Sequence, residues 1–144
     1  MQVQEFKCLY LRYQSLVDFT PAQDIQHCNL HFHGQERHDC VLINMDCGRR
    51  DYTCAHLLSL LRCTLPSGDQ HDVAIVRLFQ LSTWKPNTRI ENCEVLDENL
   101  KRPRLVMMKY FIRGAHMVPV FSTKESRFIL NDLVDGDIFL QAGN

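Results

Sequence analysis

Apolar residues recur at every second position through most of this chain, the spacing of strands rather than of helices. VQEFKCLYLRY sets Phe6, Cys8 and Tyr10 against Leu9, Leu11 and Tyr13 on the other parity, which predicts a strand with both faces partly covered. DCVLINM repeats the pattern with Val41, Ile43 and Met45. HDVAIVRLFQL is β-branched and too short for a typical helix, and the turn LPSGDQ, marked by Pro66 and Gly68, precedes it. RLVMMKYFIRGAHMVPVF is the longest apolar segment. Gly114 and Pro119 interrupt it, so it reads as a long strand that bends. Within it Lys109 and Arg113 share a parity and are expected to point outward.

Other segments depart from this period. In SLVDFTPAQDIQHC, Thr20 suits an N-cap, Pro21 a first helical position and Asp24 a first turn, which predicts a short helix over Pro21 to Cys28. NLHFHGQERH reads as a histidine-rich connector. TCAHLLSLLRCTL fits two templates, a helical stripe of Cys54, Leu57, Leu58 and Leu61 and an alternation of Ala55, Leu57, Leu61 and Cys63. CGRRDY and STWKPNTR read as loops, IENCEVLDE as a short edge strand, and NLKRPR as a basic connector that Pro103 keeps from being helical. RFILNDL and DIFLQ close the chain around an acidic stretch.

These elements give a mainly β fold of about six or seven strands with one short helix, without the alternating helices of a parallel sheet. A small antiparallel barrel is the expected geometry, because closure removes exposed strand edges. The 144 residues fit one domain. Residues 1–39 are expected to form a strand-helix-loop extension packed on it.

Composition changes this picture little. The chain is 45% hydrophobic and 23% charged, as a packed domain is, and it is expected to fold as a soluble intracellular protein. The net charge of -1 removes the long-range attraction to phosphate of a basic domain, so nucleic-acid binding is expected to be local and weak. No apolar run approaches the roughly 20 residues of a membrane span, and no membrane association is expected. The seven cysteines are an odd number and sit mostly beside apolar residues, as free thiols in a core do.

The densest set of ligand-type residues is QHCNLHFHGQERHDC, with His27, Cys28, His31, His33, His38 and Cys40. Structural zinc favours cysteines paired two to four residues apart, a spacing Cys28 and Cys40 lack, so no metal is expected here. No local signature puts a cysteine nucleophile beside its base, and no glycine spacing cradles phosphate, so neither catalysis nor a cofactor or small-molecule substrate is expected. The candidate binding residues are Trp84, Lys101, Arg102, Arg104 and Tyr110. The cations could track a backbone while the rings stack on a base or cage a methylated lysine, with Lys109, Phe111 and Arg113 nearby. KRPR also has the letters of a short nuclear-import signal. In NDLVDGDIFL, Asp132, Asp135 and Asp137 could suggest a metal-dependent nuclease. Asp132 and Asp135 would face opposite sides of a strand, and Asp135-Gly136 is a turn pair, so two short strands joined by a turn are expected instead.

YLRYQSLVDFTPAQDIQHCNLHFHGQERHDCVLIN, CAHLLSLLRCTLPSGDQHDVAIVRLFQ, KYFIRGAHMVPVF and FILNDLVDGDIFLQ together resemble the C-terminal region of fungal Plavaka-type transposon proteins, within the Kyakuja/Dileera/Zisupton group of DNA transposases. The resemblance implies a bromo-adjacent-homology-like β-barrel, with CAHLLSLLRCTL and HDVAIVRLFQL as consecutive antiparallel strands. It also implies a nuclear setting and a non-catalytic domain that contacts proteins or chromatin, since the group's acidic catalytic core lies upstream. A metal-dependent nuclease fragment and a histone-tail or nucleic-acid reader are the alternatives.

Overall fold

The computed structural model describes residues 1–15, 17–44, 52–81, 95–120 and 127–130. Its strands are, in chain order, β1 (Gln2–Phe6), β2 (Cys8–Gln14), β3 (Pro21–Phe32), β4 (Gln35–His38), β5 (Cys40–Asn44), β6 (Tyr52–Thr64), β7 (Gln70–Leu81), β8 (Val95–Glu98), β9 (Arg104–Met107), β10 (Phe111–Ala115), β11 (Met117–Pro119) and β12 (Arg127–Leu130). The described residues are mostly strand, all pairings are antiparallel, and the helical content is one 3₁₀ turn, Met108–Tyr110. Among them no helix is long and apolar enough to cross a membrane.

The spine is the β6–β7 hairpin, turned where LPSGDQ predicts it. Gly68 takes a φ of 92°, and its N–H donates to Leu65 O at 2.9 Å. On β6 the inward residues of the main core are Ala55, Leu57 and Leu60, spaced by two and then by three. A register shift between Leu57 and Ser59 explains the change of spacing, because a bulge carries the inward face to the other parity. The same device accounts for the competing helical and alternating stripes in this sequence.

The hairpin carries a nine-stranded sheet whose main order is β10-β5-β6-β7-β8-β12-β11, with β1 added to β6 and β9 to β7. The strands at the two ends of that order, β10 and β11, are separated in the chain only by His116. The sheet therefore curls until its ends meet, yet among the described residues no ladder joins them. The expected barrel is corrected accordingly: the strands are antiparallel, and the sheets stay open.

A separate three-stranded sheet, β2-β3-β4, lies over β10. The expected helix over Pro21 to Cys28 is part of β3. Tertiary pairing decides here, because Ala22, Asp24, Gln26 and Cys28 turn inward at a spacing of two and β3 pairs with β2 along its first half. Of the residues that suggested a helix start, Pro21 and Asp24 lie in β3, and Thr20 belongs to the hairpin turn before it, where Asp18 Oδ1 accepts from Thr20 N and Oγ1 at 3.1 and 2.7 Å. The histidine-rich connector is likewise a hairpin. His33 and Gly34, with φ of 49° and 80°, form its two-residue turn between β3 and β4.

The first apolar segment splits at Lys7 into β1 and β2, which join different sheets. The long bending segment divides into β9, the 3₁₀ turn, β10 and β11. That turn, with a register shift between Phe111 and Arg113, overrides simple parity, and Arg113 is buried rather than outward. The stretch around Asp132, Asp135 and Asp137 lies outside the described residues.

The main core gathers Val41, Ile43, Ala55, Leu57, Leu60, Ala74, Val76, Val106 and Phe111 from the large sheet, with Leu11 and Cys28 from the small one. Leu42, Cys54 and Phe79 form a second cluster, so β5 is buried on both faces. Each fully buried Leu, Ile or Val contributes about 1.5–3 kcal/mol of transfer free energy. These contacts set the two sheets, and with them the cleft at their seam.

Candidate functional site

Where the small sheet crosses the meeting point of β10 and β11, a cleft of about 370 Å³ opens. β3 contributes Asp24, Ile25 and Gln26, and the end of β4 and start of β5 contribute Arg37, His38, Asp39 and Cys40. His56 of β6 lies beside them, and Gly114, Ala115, His116, Met117 and Phe128 complete the lining. The volume suits a short segment or a small molecule.

Gly114 sets how closely the sheets approach. A Cβ there would run into the side-chain amide of Gln26, which is itself buried. The backbone N–H of Gly114 donates to Asp24 Oδ2 at 2.9 Å, and Arg113 Nη2 lies 3.4 Å from the same oxygen. One carboxylate thus ties β3 to β10.

The histidines are held by cross-strand partners. Cys28 and His38 are opposed in the β3–β4 ladder, which puts Cys28 Sγ 3.3 Å from His38 Nδ1, and Glu36 Oε1 lies 2.6 Å from His38 Nε2. His56 has Glu98 Oε1 at 2.8 Å from Nδ1 and the His38 carbonyl at 2.9 Å from Nε2. Asp39 accepts from Arg37 Nε and Nη2 at 2.9 and 3.2 Å and from the backbone N–H of His27 at 2.8 Å.

A thiol, an imidazole and a carboxylate in a row have the order of a nucleophile, its base and an orienting acid. The electrostatics oppose that use. Burial, with the carboxylates of Glu5, Asp39 and Glu36 nearby, pushes the Cys28 thiol up to about 11, and its side chain belongs to the core cluster rather than to the cleft wall. Burial also raises Cys54 to about 11, and burial with neighbouring Cys54, Glu98 and Asp39 raises Cys40 further. In the folded protein at pH 8, iodoacetamide is expected to modify exposed Cys8 well before Cys28, Cys40 and Cys54. Peptide mass spectrometry reads the order, and equal rates for Cys8 and Cys28 would contradict this assignment.

Among the described residues no group of three or more His, Cys, Asp or Glu side chains is arranged to hold a metal ion. Of the set in QHCNLHFHGQERHDC, the structure brings Cys28 and His38 together, while His33 occupies the hairpin turn.

The binding residues expected from sequence fall elsewhere. Lys101, Arg102 and Arg104 are exposed on the connector entering β9, with the Lys101 N–H donating to Asn99 Oδ1 at 3.1 Å. Tyr110 packs against the main core, and the Lys109 ammonium sits 5.1 Å from its ring centroid, so a base stacking on that face would have to displace it. Trp84 lies outside the described residues.

Comparison with protein families, curated proteins and solved structures finds no match to this chain. The resemblance to Plavaka-type proteins rests on the sequence stretches quoted for it. Sequence reasoning did not single out Gln26, Asp39, His56, Gly114, Met117 or Phe128 as site residues. The signal that reaches them is pairing: once His33-Gly34 is read as a hairpin turn, Cys28 falls opposite His38, and the strand after Asp39 runs beside His56.

Proposed function

We propose that this chain is a non-catalytic protein-interaction domain that takes its ligand in the cleft between the two sheets. One observation carries the reading. The cleft is open and part apolar, through Ile25, Ala115, Met117 and Phe128, while Asp24, Arg37, His38, Asp39 and His56 in its lining already face protein partners. A catalytic base needs access to a reacting proton, whereas His38 and His56 each have both ring nitrogens engaged. Such a site recognises shape and hydrogen bonding. The resemblance to transposase-derived proteins supports a nuclear setting and a chromatin-associated partner within this reading.

The test is a selection of displayed peptides on the immobilised protein, followed by binding to variants. His116 is exposed on the cleft wall, so His116→Glu is expected to leave the fold intact by circular dichroism while weakening selected binders at least about tenfold. Leu105→Ala, at an exposed position outside the cleft, is expected to change nothing. Binders indifferent to His116→Glu would overturn the cleft reading. Loss on Lys101→Glu or Arg102→Glu instead would move the site to the basic connector.

A further inference from the structure

We infer that the cleft receives an extended polypeptide of a partner protein, which adds as a strand to the open edge of β3. This rests on the cleft being the ligand site and says how the ligand is held there.

The backbone pattern identifies the edge. Cys28 N–H donates to Lys7 O at 2.8 Å and Ser15 N–H to Thr20 O at 2.9 Å, which fixes the hydrogen-bonded pairs of the β2–β3 ladder as Leu9 with Gln26, Leu11 with Asp24 and Tyr13 with Ala22. The intervening β3 residues Gln23, Ile25 and His27 therefore aim their N–H and C=O groups away from β2. His27 confirms the direction, since its carbonyl accepts from Asp39 N at 2.8 Å and its N–H donates to Asp39 Oδ2 at 2.8 Å. β4 pairs only with the far half of β3, from Cys28 to Phe32, and the chain then turns away into β5. Among the described residues nothing pairs with Gln23 or Ile25 on that side.

Pro21 agrees with this geometry. It shares the parity of Gln23 and Ile25, so its missing N–H falls on the same unpaired edge. An extended segment laid along the line β4 would have continued meets the main-chain groups of Gln23 and Ile25. Every second side chain then points into the cleft.

Charge selects among those side chains. Asp24 faces Arg113, Asp39 faces Arg37, and Glu98 faces His56, with Arg77 Nη1 3.8 Å away. A charged newcomer would find these counter-charges already engaged. An uncharged side chain that fits between Met117 and Phe128 is the one the cleft accepts.

Peptides of about ten residues obtained by the selection above provide the test. N-methylation of alternate backbone nitrogens is expected to cost about tenfold or more in Kd at one parity and to be tolerated at the other, without any change to the protein. Ile25→Pro removes an N–H that the β2 ladder does not use, so it is expected to preserve the circular dichroism spectrum and abolish binding. Gln23→Pro serves as the second variant. Peptides that lose binding to His116→Glu yet tolerate N-methylation at both parities would overturn strand addition and leave the cleft reading intact. Peptides indifferent to His116→Glu would overturn both. Self-association of the protein that Ile25→Pro dissolves would make a second copy of this chain the occupant, against a separate partner.

Discussion

Asp24→Ala is expected to destabilise the protein by about 3 kcal/mol, the low end of what breaking a buried ion pair costs. Arg113 is 3% exposed, and its guanidinium lies 3.4 Å from Asp24 Oδ2. The same oxygen accepts the Gly114 N–H at 2.9 Å, and Asp24 Oδ1 is 3.4 Å from the Tyr13 hydroxyl. Truncation therefore removes a counter-charge from a desolvated cation and an acceptor from a buried N–H. For a chain of 144 residues this corresponds to a loss of Tm on the order of 10 °C, measurable by calorimetry.

The charge argument has its own control. Asp24→Asn with Arg113→Met keeps an acceptor for Gly114 and removes both charges, so this double variant is expected to recover at least half of the loss. An Asp24→Ala protein within about 0.5 kcal/mol of wild type would show that the seam does not depend on this carboxylate. A loosened seam also has a functional consequence. Asp24 and Gly114 fix how β3 crosses β10, and hence how the open edge at Ile25 stands relative to the cleft floor.

The β class of this chain is legible because the spine depends on local signals. Pro66 and Gly68 mark a turn, and Val73 to Leu81 is rich in β-branched and apolar residues, so the β6–β7 hairpin follows from its own sequence. β3 is illegible for the opposite reason. Thr20, Pro21 and Asp24 have the residue types of a helix start, and only pairing with β2, a contact the local sequence does not encode, assigns Pro21 and Asp24 to a strand. Arg113 fails in a third way. Its parity with Lys109 predicts exposure, but a 3₁₀ turn and a register shift intervene.

The candidate site was largely hidden because it is assembled across strands. His38 was visible as a histidine in a rich stretch, yet its partner Cys28 lies ten residues away and is brought opposite by a two-residue turn. His56 sits inside an apolar run where nothing marks it as polar machinery. Gly114 reads as a strand breaker, whereas in the fold it is the place where the amide of Gln26 passes. The cations of the basic connector were easy to see because exposed charge is a local property. A cleft at a seam is a property of the fold.

The bulge in β6 makes the last prediction sharp. Leu57 and Leu60 are both fully buried in the main core although they lie three residues apart. In an uninterrupted strand, positions of odd separation face opposite sides, so at a one-sided sheet one of the two truncations would be mild. With the register shift between Leu57 and Ser59, both side chains enter the same core, and Leu57→Ala and Leu60→Ala are each expected to cost about 3 kcal/mol. Leu57 also donates its N–H to the Asp39 carbonyl at 3.0 Å, so its position couples the core to the strand that carries the cleft. Urea denaturation of both variants, beside Leu105→Ala at 67% exposure with an expected change below about 0.5 kcal/mol, measures the difference. A mild Leu60→Ala beside a severe Leu57→Ala would refute the bulge, because only a shift of parity between them gives both residues the same environment.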